Sequence, residues 1–137
     1  MKIGNKKKYT AIDELKKWIV EHTKDGVYIS GIRVGIHVMR DKNGLIKEIR
    51  NYKNGKLEGK RLYFDPNTSR ITKIQEYKNG IKNGDCIIYS ENGKIKSMGK
   101  YLNGKKHGKY ISFCYNGVID MKIIYREGEI VKIFGDH

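Results

Sequence analysis

YKNGKLEG, residues 52–59, returns along the chain as YISGIRVG (28–35), YKNGIKNG (77–84) and YLNGKKHG (101–108), and a truncated copy, YREGEI, opens at Tyr125. The spacing is 24 residues, lengthened once to 25. Tyr28, Tyr52, Tyr77, Tyr101 and Tyr125 align, each followed three residues later by a glycine: Gly31, Gly55, Gly80, Gly104 and Gly128. A second glycine closes four of these loops (Gly35, Gly59, Gly84, Gly108), and eight positions beyond each stands Asn43, Asn67, Asn92 or Asn116. Glycine follows three of those asparagines (Gly44, Gly93, Gly117), so fixed repeat positions account for twelve of the sixteen glycines. Self-similarity at this period marks an architecture in which each unit buries its apolar face on its neighbours.

Each unit carries two strand signals separated by turns. Asn-Gly suits a type I′ turn, whose two central residues both need positive φ and whose twist matches that of the flanking strands. Counted from the second glycine, offset three holds Val38, Leu62, Ile87 and Ile111, and offset five holds Arg40, Phe64, Tyr89 and Phe113. That alternation means strand. Ile46, Ile71, Ile95 and Ile119 align after the asparagine turn once one extra residue near Pro66 is counted, and begin a second strand. The expected fold is all-β: an antiparallel meander of about four 24-residue β-hairpin units in an elongated single-layer sheet, spanning residues 25–137.

The first 24 residues break the period. Thr10 as cap, with Asp13 and Glu14 in the first turn, reads as a helix start. Ile12, Leu15, Ile19 and His22 fall on one helical face with Trp18 beside them. The spacing predicts a short capping helix within 9–24, ending near Thr23 and covering the open end of the repeat. Residues 1–8, with Lys2, Lys6, Lys7 and Lys8, read as a basic tail.

The chain of 137 residues carries +14, with 29 Lys+Arg against 15 Asp+Glu, and only two cysteines. No stretch approaches the roughly 18 apolar residues of a membrane-spanning helix, and no apolar core follows the basic start as a secretory signal requires. Two thiols at unmatched positions make no disulfide framework, so the expected compartment is the cytoplasm.

The recurring Y-x-N-G-x-x-x-G, with a Tyr or Phe strand and a following N-G, resembles the MORN repeat. It is closest to the antitoxin-like YwqK-type variant found in tandem in bacterial, phage and giant-virus proteins. The resemblance covers residues 28–130. It departs from the pattern at the ends, where Ser30 and Glu127 stand in place of Asn. It implies an elongated single-layer β-structure that binds or spaces partners without catalytic residues or cofactors, in scaffolding, membrane-facing or toxin-neutralising roles.

Catalysis needs a nucleophile or acid set against a base. The candidates are His22, His37, His107, His137, Cys86 and Cys114. His37 and Cys86 share a strand offset two units apart, about 20 Å by strand spacing, beyond the reach of one metal. His107 replaces Val34, Glu58 and Asn83 of the other loops and reads as a solvated turn residue. Both cysteines read as strand thiols. No enzyme and no metal site is expected.

The glycine and tyrosine ladders read as structural, with glycine serving turns and each tyrosine ring covering a hairpin edge while its hydroxyl stays wet. The informative set is the opposite strand face, at offsets two and four: His37 and Met39, Arg61 and Tyr63, Cys86 and Ile88, Tyr110 and Ser112. A half-exposed sheet should be polar there. The mixed aromatic, aliphatic and basic character marks a partner surface centred on Arg61, Tyr63, Ile88 and Tyr110, unless the sheet curls and buries both faces. Repetition also aligns Lys53, Lys56, Lys78, Lys82, Lys105 and Lys106 along one edge, a stripe suited either to phosphate or to solubility. The expected partner is a protein, a toxin or effector, with RNA, DNA or anionic lipid as alternatives. The strand after Ile130 could also pair with a second copy of the chain.

Overall fold

The computed structural model describes residues 19–135. All regular structure there is β: β1 (Val20–Thr23), β2 (Gly26–Ile29), β3 (Ile32–Arg40), β4 (Ile46–Lys53), β5 (Lys56–Leu57), β6 (Gly59–Asp65), β7 (Arg70–Lys78), β8 (Ile81–Tyr89), β9 (Ile95–Leu102), β10 (Lys105–Lys106), β11 (Gly108–Phe113), β12 (Ile119–Arg126) and β13 (Glu129–Gly135). They form one open antiparallel sheet in chain order, with the short β5 and β10 pairing only with β4 and β9. The sheet begins at Val20, inside the stretch expected to be helical. Val20–Thr23 pairs with Gly26–Ile29 in a tight hairpin, so the helix does not reach Thr23. The remainder of the expected helix, with Trp18, and the basic tail lie outside the described residues.

The tight turns take the geometry their residues demand. At Asn54-Gly55, Asn79-Gly80 and Asn103-Gly104 both residues have positive φ, 49–52° for Asn and 80–86° for Gly. Two residues separate the paired positions in each case, as in Lys53↔Lys56 and Lys78↔Ile81, which defines the type I′ hairpin. The same angles recur at Ser30-Gly31 and Glu127-Gly128, so losing Asn changes the residue and not the turn.

The second set of Asn-Gly pairs behaves differently. Gly44, Gly93 and Gly117 have positive φ but their asparagines do not. These are five-residue loops, closed by side chains that accept from backbone N–H groups two residues on: Asp41 from Asn43, Asn92 from Lys94, and Asn116 from Val118, at 2.9–3.0 Å. The extra residue near Pro66 lies in the corresponding loop, where Asp65 pairs with Arg70 and Ser69 takes φ 61°.

Successive tight turns are bonded to one another. The N–H groups of Gly55, Gly80, Gly104 and Gly128 donate to the carbonyls of Arg33, Leu57, Lys82 and Lys106 in the preceding turn, at 2.8–3.0 Å. This column fixes the offset of one hairpin from the next. Opposite four of the five repeat tyrosines stands the second glycine of the preceding unit: Gly35↔Tyr52, Gly59↔Tyr77, Gly84↔Tyr101 and Gly108↔Tyr125.

The two faces divide cleanly by register. One carries the aliphatic row, Val38, Ile49, Leu62, Ile74, Ile87, Met98 and Ile111, linked as cross-strand partners. The sequence pattern makes this the buried face, yet every residue in that row is only half-buried. The most buried side chains lie on the other face: Gln75 at 0 %, His37 at 2 %, Ser97 at 5 %, and Tyr52 and Tyr77 at 9 % exposure. Among the described residues there is one sheet, and its large side chains close over small neighbours on this face, Tyr110 over Gly99 and the His37 ring over Gly26. The aromatic face is the better buried, and the expected core face is the more open of the two.

Candidate functional site

The aromatic face is built from two cross-strand rows. One runs Met39, Glu48, Tyr63, Lys73, Ile88, Ser97, Ser112 and Met121, each pair in direct register. The other joins Arg61, Gln75, Cys86 and Gly99, with Tyr110 closing over the last. All four residues expected to form a partner surface, Arg61, Tyr63, Ile88 and Tyr110, therefore share one face between β6 and β11. All four are half-buried. Four strand steps separate β6 from β11, a span of about 19 Å at the usual inter-strand spacing.

At the amino-terminal end the face is organised around His37. Its Nε2–H donates to the Val27 carbonyl at 2.8 Å, and its ring lies edge-on between Tyr28 and Tyr52, at 4.9 and 5.1 Å between ring centres. The ring covers Gly26, where a Cβ would sit 2.3 Å from Nδ1. His37 is a structural residue, four strands from Cys86 along the sheet.

An ion cluster follows. Glu48 accepts from Arg61 Nε at 2.7 Å and from Arg50 Nε at 3.0 Å on one oxygen. The guanidinium groups reach on to tyrosine hydroxyls, Arg50 to Tyr52 at 3.3 Å and Arg61 to Tyr77 at 3.4 Å. The hydroxyls of the two buried repeat tyrosines are therefore bonded within the protein and not left to solvent. Burial alone pushes the Glu48 carboxyl up, but the hydrogen bonds from Arg61 and Arg50 outweigh it and hold the pKa below 4.5. Arg61 also lies over the Tyr63 ring, 4.8 Å from its centre. Burial, together with a hydrogen bond to Tyr77, pushes the Tyr63 phenol up to about 12.

Toward the carboxyl-terminal end the acids disappear. Lys73 Nζ stands 5.4 Å from the Tyr63 ring, Lys82 5.1 Å from Tyr101, and Lys106 5.0 and 5.2 Å from Tyr110 and Tyr125. Tyr110 and Tyr125 meet edge to face at 6.1 Å. A pocket of about 80 Å³ opens between these side chains, with Cys86 in its lining. Burial raises the Cys86 thiol pKa more than the positive charges of Lys73, Lys82 and Lys106 lower it. Cys114 is exposed.

The six lysines expected along one edge do gather at the tight turns, but they do not form one stripe. Lys53, Lys56, Lys78 and Lys105 are exposed. Lys82 and Lys106 instead turn over tyrosine rings on the aromatic face. Within the turn column Ile81 occupies the position between Lys56 and Lys105, so the basic edge is interrupted.

His107 departs from the solvated-turn expectation. It is half-buried and its Nδ1 is enclosed without a hydrogen-bond partner. At the equivalent position Glu58 accepts from the Asn79 N–H at 3.3 Å and Asn83 from the Asn103 N–H at 3.1 Å, so this site tethers one turn to the next.

Sequence reasoning missed Glu48, Lys73 and Gln75: Glu48 and Lys73 share one repeat position, four residues before Tyr52 and Tyr77, but carry opposite charges there, so the position shows no common chemistry. A signal for the cation–ring pairs was present. Arg33–Tyr52, Lys82–Tyr101 and Lys106–Tyr125 are each 19 residues apart, one cation per following tyrosine. Among the described residues no group of three or more His, Cys, Asp or Glu is placed to hold a metal ion, and no helix is long and apolar enough to cross a membrane. No protein-family model and no curated protein sequence matches the chain.

Proposed function

We propose that the protein is a non-catalytic protein-binding module of the cytoplasm, a small neutraliser or adaptor built from about four MORN-like hairpin units. By resemblance it is an antitoxin-like immunity protein or a phage-encoded inhibitor of a defence effector. The observation that carries this reading is the gathering of Arg61, Tyr63, Ile88 and Tyr110 on one face of a single sheet. Aromatic and arginine side chains dominate the energetics of protein interfaces because they offer large area at low entropic cost. These are held by neighbours already in place: Arg61 by Glu48, Tyr63 by Arg61 and Tyr110 by Tyr125. Pre-positioned side chains spend little ordering entropy on binding.

The test is affinity capture from the native host lysate at low and high salt, with and without nuclease, comparing the wild-type chain with Tyr63→Ala/Tyr110→Ala. A single protein retained at high salt after nuclease, and lost in the double variant while the variant keeps its melting transition, is the expected result. Capture unchanged in the double variant sinks the proposed surface.

A second reading has its own support. The cations over Tyr52, Tyr101, Tyr110 and Tyr125 provide charge and stacking surface together, the combination that binds RNA or DNA without sequence preference. It predicts affinity that falls steeply as salt rises. Recovery of nucleic acid alone, released by salt, selects it over the protein-binding reading.

A further inference from the structure

The pocket between β8, β9, β11 and β12 has an unusual electrostatic balance. Its lining includes the cations Lys73 and Lys106, no carboxylate, and the rings of Tyr101, Tyr110 and Tyr125; Lys100, which also borders it, shares the opposite face with its cross-strand partner Asp85. Among the described residues no salt bridge involves Lys73, Lys82 or Lys106, whereas Lys100 stands 4.0 Å from Asp85. At the other end of the same face the arginines are neutralised by Glu48. The ammonium groups of Lys73 and Lys106 stand over tyrosine rings, which attract a cation weakly and supply no formal negative charge.

Placing two cations, Lys73 and Lys106, beside one concavity costs mutual repulsion that an anion relieves. The pocket volume, about 80 Å³, sets the size of that anion. Bulk water takes about 30 Å³ per molecule, so the space has room for a few waters or for one tetrahedral oxyanion. The surrounding phenol rings lower the local polarity, which strengthens a charge-assisted bond from an ammonium group to such an oxygen.

We propose that this pocket binds one phosphate-class oxyanion, held by Lys73 and Lys106 against the Tyr110–Tyr125 pair. The site is independent of the protein-binding reading, because its readout needs only this chain and the anion. Cys86 lines the pocket and Cys114 is exposed elsewhere, so the two thiols form a reporter and an internal control.

The experiment follows iodoacetamide alkylation of each cysteine by peptide mapping, with inorganic phosphate, pyrophosphate or chloride added at matched ionic strength. Phosphate is expected to slow Cys86 saturably and leave Cys114 unchanged. Lys106→Gln and Lys73→Gln should each weaken the protection roughly tenfold or more, since each removes a bond to a charged group. Lys53→Gln, at an exposed turn, should not. If Lys106→Gln lowers the melting temperature, Lys106→Arg keeps the charge and should retain protection. A parallel arm replaces free phosphate by phosphatidylcholine vesicles with or without a phosphatidylinositol phosphate. Protection by those vesicles but not by inorganic phosphate assigns the oxyanion to a lipid headgroup. Protection by neither, equal slowing of both cysteines, or full protection in Lys106→Gln and Lys73→Gln overturns the site.

Discussion

The aliphatic row and the aromatic rows lie back to back on the same strands. Ile87 and Cys86 are neighbours in sequence and point to opposite sides, as do Leu62 and Arg61. By hydrophobicity the aliphatic side should be the better buried. It is not, because burial in a single sheet comes from lateral reach and not from a second layer. Tyrosine rings and guanidinium stems extend over glycine, serine and glutamine on adjacent strands and seal them. Branched aliphatics of equal height stand side by side and leave their tops open.

The sharpest way to break this comparison is to truncate one residue on each side. Tyr77→Ala should cost about 3 kcal/mol, near the range for buried aromatic truncations, and Ile87→Ala about 1 kcal/mol, since Ile87 is already half open. Urea midpoints at constant slope measure both. Equal losses would mean that the aliphatic row carries as much of the fold. Gly26→Ala comes next, at about 2 kcal/mol, because its methyl would meet the His37 ring, which the Val27 carbonyl and two tyrosines hold in place. Adding His37→Ala should restore part of that loss, as a thermal melt of the double variant will reveal.

The Glu48 cluster gives the aromatic face a pH dependence. Its carboxyl pKa is lowered on folding from 4.5, so its contribution is complete above about that pH and is lost as pH falls through the native value. Glu48→Gln should cost about 1–2 kcal/mol at neutral pH and flatten the acid limb of a stability-versus-pH curve. Tyr63 acts at the opposite end. Its pKa is raised from 10.0 to about 12, so that contribution is complete below pH 10 and is lost as pH rises through about 12. An ultraviolet titration should display one late phenolate step that Tyr63→Phe removes.

The smallest effect belongs to the turn column. His107→Asn should gain a few tenths of a kcal/mol, since Asn83 at the equivalent position bonds the next turn. A lowered melting temperature would show that the His107 ring is packed, with no unmet bond to repair.

Much of this architecture could be read from the chain because its turns depend on backbone angles that few residues accept. Asn54-Gly55 and its counterparts declare type I′ hairpins, and the insertion at Pro66 was visible as a slip in period. Which face is the better buried was not readable. Alternation separates two faces at Arg61-Leu62-Tyr63-Phe64 but does not rank them. That Arg61, Tyr63, Ile88 and Tyr110 share a face was legible through their offsets, while Glu48, the group that binds Arg61, was not found, because electrostatic pairing across β4 and β6 leaves no periodic trace. Val20–Thr23 was misread for a related reason. Four exposed residues carry no alternation of their own and become a strand only through pairing with Gly26–Ile29.

The column of turn-to-turn hydrogen bonds has a mechanical corollary. Each hairpin is stitched to its predecessor by one glycine N–H, and each carries its own ladder to the next strand. Tension applied at the two ends of such a chain meets one hairpin at a time, at the free margin of the sheet, as a zip meets its slider. Every yielding unit of 24 residues frees about 80 Å of extended backbone. The protein is thereby a spring of nearly equal steps, whose extension counts its hairpins.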